Sequence, residues 1–205
     1  MRTLIIETST TACSVALIED GAVVARLHDV VGRGHAERLI PMVAALPGGG
    51  RAARVLVDCG PGSFTGIRVG IAAARGLALG WGAEIAGFSA LPLIAAMGFS
   101  DRLTDDIAVI LEGGHGEVFM QAFNADLTPC SPMESLKPGD ALAALAGRRA
   151  VGNGVRWLAD LGGDLDLTDM LPDAAAAALL PATLTRLAPR PIYGRAPDAK
   201  PSVPR

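Results

Sequence analysis

The chain opens on apolar runs broken by short polar turns. "TLIIETSTTACSVALIEDGAVVARLHD" contains three β-rich stretches, Leu4–Ile6, Cys13–Ile18 and Val23–Leu27. Glu19-Asp20-Gly21 lies between the second and third and reads as a hairpin turn. The first turn, Glu7 to Thr11, is rich in hydroxyls. "HAERLIPMVAAL" then predicts a helix over His35–Leu46, ended by "PGGG". "ARVLVDCG" predicts a short buried strand. A glycine-rich turn and a long helix follow in "CGPGSFTGIRVGIAAARGLALG". "AEIAGFSA" reads as another strand and "LPLIAAMG" as a short helix.

A second unit begins near Ser100. "DDIAVILEGGHGEVFMQAFNAD" predicts strand, turn and strand, and "RRAVGNGVRWLADLGG" predicts strand, glycine turn and helix. The alanine run "PDAAAAALLPATLTRLA" predicts a helix interrupted at Pro181. Six of the 14 prolines fall in the last 25 residues, so the end of the chain reads as an extended or loose tail. The opening order of three strands, helix, strand and helix suggests an actin-like α/β lobe. The expected organisation is a first lobe over 1–100, a smaller second lobe over 101–188 and a tail over 189–205.

Composition narrows the function classes. With 205 residues, half of them hydrophobic and only 4% aromatic, the core must be aliphatic and alanine-rich. Net charge is −3, lysine occurs only at Lys137 and Lys200, and no basic block is present, so tight direct RNA binding is disfavoured. Cys13, Cys59 and Cys130 are far apart with no CxxC pairing and read as reduced thiols of a cytoplasmic protein. No signal peptide and no run of about 18 apolar residues is evident, so no membrane role is expected.

The glycine-rich turn invites a phosphate-binding reading, and each known motif fails. No lysine follows the glycines as a Walker cradle requires, and the third glycine of GxGxxG falls on Thr65. The hydrolase elbow fails because Pro61 and Thr65 stand where glycines should flank Ser63. A structural turn is therefore favoured, with Thr8, Ser9, Gly62 and Ser63 as candidate weak anion or nucleotide contacts. Gly152 and Gly154, around Asn153, are candidates of the same kind. His28, His35 and His115 lack any HxxxH spacing, so no metal site is predicted.

The helix after the turn carries a different signal. Gly66, Gly70, Ala74 and Ala78 recur every fourth residue, and Ala72, Gly76 and Gly80 make a second row. Glycine costs about 1 kcal/mol in a helix, so these positions need a compensating close approach by another backbone. That approach is either the protein's own sheet or another subunit.

Taken together, "LIIETSTTACSVALIEDG", "GHAERLIPMV", "GPGSFTGIRVGIAAARGLALG", "GEVFMQAF" and "PIYGRAPDAKP" resemble the TsaB (YeaZ) family from residue 1 to about 201. The resemblance implies an α/β, two-lobed actin/sugar-kinase/Hsp-like (ribonuclease-H-like) fold. It implies a non-catalytic subunit that pairs with the paralogous transferase TsaD, with TsaE as ATPase partner, to modify the adenosine beside the anticodon of certain tRNAs. It further implies a homodimer in isolation, tRNA contact only through the complex, and no tightly bound cofactor beyond a nucleotide at the heterodimer interface. The implied interface uses His35, Leu39 and Met42 of one helix and Gly66, Gly70, Ala74, Gly76 and Ala78 of the next. Where the catalytic paralogue carries an HxxxH pair, this chain has Ala90 and Ile94. It also departs from the family at Glu7, usually Asp, at Gly114-His115, and at Tyr193-Gly194-Arg195. The remaining classes are an active ATPase or sugar kinase of the same fold and a glycoprotease-like metallohydrolase.

Overall fold

The computed structural model describes residues 1–102 and 106–194. Strands β1 (Arg2–Glu7), β2 (Ala12–Glu19) and β3 (Ala22–Val30) form an antiparallel meander. Helix α1 (His35–Ala45) leads to β4 (Arg54–Asp58), which pairs in parallel with β1. Helix α2 (Phe64–Trp81) then crosses over to β5 (Glu84–Phe88), giving a sheet of order β3-β2-β1-β4-β5. Side-chain alternation divides this sheet between two cores. Leu4, Ile6, Val15, Leu17, Val55 and Val57 pack under α1 and α2. Ile5, Ala16, Ile18 and Leu56 face the other way, against α3 (Ala90–Asp101) and the second lobe.

The second lobe repeats the plan in reduced form. β6 (Asp106–Gly114) and β7 (Glu117–Asn124) make a hairpin extended by β8 (Glu134–Leu136). α4 (Pro138–Leu145), β9 (Arg149–Val151), α5 (Val155–Ala159) and β10 (Leu167–Thr168) complete a sheet of order β10-β9-β6-β7-β8. Ile107, Val109, Leu111, Phe119 and Phe123 join the core shared with the first lobe. Ala108, Ile110, Val118 and Met120 pack with α4 and α5 on the outer side. This is the two-lobed actin-like α/β arrangement that the sequence predicted. Among the described residues, no helix is long and apolar enough to cross a membrane.

Two expectations for the C-terminal third are corrected. The alanine run is not α-helical: it forms two 3₁₀ segments, Ala174–Leu179 and Ala182–Thr185. Ala174, Ala177 and Leu180 are the buried positions, three residues apart, which is the 3₁₀ period and not the α period. The segment is too short between Pro172 and Pro181 to gain much from helix cooperativity, and packing decides its form. It also belongs with the first lobe. The Ala174 amide donates to Ser14 Oγ, Arg26 pairs with Asp173, and Arg54 donates to the Thr185 carbonyl. The chain has therefore returned to the first lobe by Asp173, well before residue 188.

The stretch after residue 188 is not a free tail as far as Gly194. Leu187 exchanges both backbone hydrogen bonds with Gly87 on the outer edge of β5. The Ile192 amide donates to the Cys59 carbonyl at 2.8 Å, and Arg75 donates to the Pro189 carbonyl at 2.8 Å. The remainder of the predicted tail, 195–205, lies outside the described residues.

Candidate functional site

Parallel pairing of β1 with β4 brings the Glu7–Thr11 turn beside the Cys59–Ser63 turn at the carboxyl ends of both strands. In an open α/β sheet this is where a ligand would sit. Here the two turns fill the space with each other. Ser63 N donates to Ser9 O at 2.6 Å, Thr8 Oγ1 donates to Gly66 O at 2.8 Å, and Ser63 Oγ caps α2 by accepting from Gly66 N at 3.2 Å. The glycines are what allow the contact. A Cβ on Gly62 would stand 2.1 Å from Ser9 O, and one on Gly66 would stand 2.1 Å from Thr8 O.

The residues of the expected anion contact are engaged in this interlock. Thr8 and Ser9 are buried with their hydroxyls committed, and Gly62 approaches backbone where a phosphate was to lie. Ser63 is exposed, but its hydroxyl serves the helix cap. Gly152 and Gly154 are likewise close-packing positions: their Cβ atoms would meet Ile110 O at 2.4 Å and Leu111 C at 2.8 Å. Asn153 Oδ1 accepts from the Glu112 amide, so this turn is latched onto β6.

Beneath the closed turns lies an acid pair that the sequence reading had not joined. Glu7 ends β1 and Asp58 ends β4, and both are buried. Glu7 Oε1 accepts from the amide and hydroxyl of Ser9, and Asp58 Oδ1 accepts from Gly60 N at 2.9 Å. Burial, and then the neighbouring Asp58 charge, hold the Glu7 carboxyl well above its ordinary value. Burial also raises Asp58, while hydrogen bonds from Glu7, Ser9 and the amides of Gly60 and Ala90 pull it back. Two neighbouring carboxyls out of water cannot both ionise cheaply, so the pair holds a proton more tightly than separate carboxyls would, and more tightly at Glu7 than at Asp58. An acid closing each of two apolar runs was the signal available in the sequence. Ala90 and Ile94 are fully buried aliphatic side chains of the shared core. Burial pushes the Cys13 thiol up to about 11 and the Cys59 thiol up to about 12, which keeps both unreactive.

The expected interface residues separate into two sets, and most of them are buried in this fold. Gly66, Gly70, Ala74 and Ala78 face inward. Ala74 is fully buried, and a Cβ on Gly70 would stand 2.4 Å from Thr8 Oγ1. The row of small residues therefore serves the sheet beneath it. His35, Leu39 and Met42 are also buried, His35 with Nε2 3.0 Å from the Ala12 carbonyl. Gly76 alone of the expected set lies open, with nothing within 4 Å of a Cβ placed there. The exposed face instead includes Ile40, Pro41 and Ala44 on α1, beside Glu37 and Arg38, and Ala72, Gly76, Leu79 and Gly80 on α2, beside Arg75. Leu79 is 87% exposed. α1 and α2 pack side by side on one sheet face, so these residues form one two-helix surface.

On the far flank of α2, away from α1, Arg68 lies 3.4 Å over the Phe64 ring and donates to Tyr193 Oη at 2.7 Å. Phe64 and Tyr193 have ring centroids 6.0 Å apart and are both about half exposed.

Comparison with known proteins places this architecture. The family described as "TsaD: tRNA N6-adenosine threonylcarbamoyltransferase" matches residues 29–130. A protein of Escherichia coli named "tRNA threonylcarbamoyladenosine biosynthesis protein TsaB" is 35% identical over 131 residues, covering 62% of this chain and 56% of that one. An uncharacterised protein of Mycobacterium bovis is 31% identical over 151 residues, covering 68% of this chain and 69% of its own. A solved structure from Pseudomonas aeruginosa, described as similar to peptidase YEAZ, superposes with a TM-score of 0.79 at 25% identity, covering 95% of this chain and 99% of that one. The chain spans about half the length of the curated TsaB relatives it matches.

Proposed function

The chain belongs to the TsaB (YeaZ) family, and from that premise we propose that it is a non-catalytic docking subunit in tRNA threonylcarbamoyladenosine biosynthesis. Its partner in this reading is a TsaD-type transferase, with a TsaE-type ATPase in the same assembly. In isolation the same face joins two copies of the chain. The tRNA is modified by the partner, and any nucleotide sits between the two chains.

The observation that carries the reading is the two-helix surface. It carries an apolar strip, built from small residues around Ile40, Pro41 and Leu79 and edged by Glu37, Arg38 and Arg75, that needs no rearrangement to receive two helices from a neighbour. Small side chains at Ala72, Gly76 and Gly80 allow close approach of another helix, the role that the inward row performs toward the sheet. The interlocked turns support a non-catalytic role, because the amides and hydroxyls of a kinase-like cradle are spent on the protein itself. The hydrolase reading is opposed by Ala90 and Ile94, which offer no ligand atoms.

The test is Leu79→Glu. The side chain is exposed, so the variant folds, and circular dichroism checks this. Docking would bury an unpaired carboxylate at a cost of several kcal/mol, against about 8 kcal/mol for an entire micromolar contact. Co-purification with the transferase and restoration of the modified adenosine in depleted cells should both be lost. A folded Leu79→Glu chain that pairs and restores as before would sink the proposal.

A further inference from the structure

Charge is unevenly distributed over this acidic chain. Neither 59–83, which holds α2 and its leading turn, nor 174–194, which holds the returning segment, contains a single Asp or Glu. The same stretches contain Arg68, Arg75, Arg186 and Arg190. The fold lays the two stretches side by side. Pro189 is at the level of Arg75, and Tyr193 is at the level of Arg68. Seven helical residues rise about 10.5 Å, which four extended residues can match at about 3.3 Å each. The segment thus runs antiparallel to the middle of α2, from Arg75 to Arg68, with exposed Arg190 between the two contacts.

Successive helix residues turn by about 100°. Phe64, Arg68 and Arg75 therefore share one flank of α2, while Val69, Ala73 and Leu77 share the other. α1 lies over β2, on the Val69 side, and the returning segment pairs with β5, on the Arg68 side. The basic flank therefore borders the two-helix surface assigned to docking and meets it at Leu79, one turn beyond Arg75. Among the described residues, Arg68 and Arg75 have no carboxylate partner: Arg68 donates to a phenol and Arg75 to a backbone carbonyl. Two half-exposed aromatic rings stand at one end of the row.

We propose that this flank, Arg68, Arg75 and Arg190 with Phe64 and Tyr193, binds a phosphodiester strand of single-stranded RNA. Arginines without counter-ions supply the sequence-independent attraction to phosphate. Exposed aromatic rings at the Arg68 end of the row supply stacking surfaces for unpaired bases. An acidic protein would match the charge but leave the ring pair without a purpose, so the strand of unpaired RNA is the better fit. The inference rests on the preceding reading only in taking RNA as the polyanion. It goes beyond the expectation, implied by the family resemblance, that this chain meets tRNA only through the complex, and it stays within the weak range that the net charge allows.

The experiment uses the 205-residue chain alone with a fluorescein-labelled 20-nucleotide single-stranded RNA of mixed sequence, followed by anisotropy across a salt series. Binding should fall in the non-specific range of about 1–100 μM and weaken with salt by a slope of about −2, or about 0.7 for each of three contacts. Arg75→Gln/Arg190→Gln should weaken it about tenfold and flatten the slope by about 1.4. Arg75→Lys/Arg190→Lys should retain the slope, and Arg33→Gln, on the far side near α1, should change nothing. Ile40→Glu, which disrupts the docking surface on α1 away from the arginines, should still bind RNA in isolation, so failure of the docking reading and failure of this one are told apart. Absence of salt-dependent binding, or binding indifferent to the double glutamine change, overturns the proposal. So does a double variant that loses the transferase while RNA binding persists, which would assign the flank to an acidic protein face.

Discussion

Glu7 ends β1 beside Asp58 and cannot ionise without placing two charges together out of water. Its folded-state affinity for a proton exceeds its unfolded-state affinity, for which the usual value is 4.5. Between those two values the native chain binds the extra proton, so stability falls as pH rises. The contribution is fully present below about 4.5 and lost as pH climbs through the raised folded value. Glu7→Gln keeps the carbonyl that accepts from Ser9 and an N–H group that can donate to Asp58, with no proton to lose. The variant should match the parent near pH 4.5 and be more stable at neutral pH and above. Its stability should no longer decline with pH by as much as about 1.4 kcal/mol per unit, the limit for one proton. Urea unfolding midpoints at a series of pH values check this, and parallel profiles would mean that Glu7 is already ionised in the native state.

At the scale of elements, α2 holds two glycines whose replacement by alanine should have opposite effects. Gly70 meets Thr8 Oγ1, so Gly70→Ala forces a Cβ into the interlocked turns and should destabilise by about 1–3 kcal/mol. Gly76 faces open space, so Gly76→Ala should stabilise by up to about 1 kcal/mol through helix propensity alone. Chemical denaturation of both variants reads the difference. The four-residue repeat of small side chains was plain in the sequence, as were the helix itself and the strands either side of it. Which row faced inward was not, because a small residue satisfies a close approach from the sheet and from a neighbouring chain equally well. The alanine run misled for a related reason: alanine favours α-helix when nothing else decides, and there the packing of Ala174, Ala177 and Leu180 decides. Asp58 escaped notice because its meaning depends on Glu7, which is distant in sequence and adjacent only through β1–β4 pairing.

Across the whole molecule, the lobes share a core in which Ile5, Leu56 and Phe88 of one pack with Val109, Phe119 and Phe123 of the other, around α3. Such continuity predicts one cooperative transition and not two. The chain carries a reporter for each half, Trp81 at the end of α2 and Trp157 in α5. Single-tryptophan variants, Trp157→Phe and Trp81→Phe, should unfold with superimposable fluorescence transitions after correction for each variant's own stability. Separated midpoints would show that the lobes melt independently. The two-lobed plan was legible from the order of strands and helices. The return of the chain to the first lobe at Asp173 was not, since it rests on single contacts such as Ser14 with the Ala174 amide.

The outer strands of the two sheets differ in how far they remain available. β8 and β10 are three and two residues long, and β5 is flanked by the Leu187 pairing and the second 3₁₀ segment. β3, nine residues long, is the one long strand among the described residues with an unoccupied side, and it shows Val23, Val24, Leu27 and Val30 to solvent. A body with two such sides is a monomer unit in the polymer chemist's sense and can add neighbours without end. A body with one is monovalent. Chains that meet through β3 use up both valences in a single event, so growth along the sheet terminates at the pair.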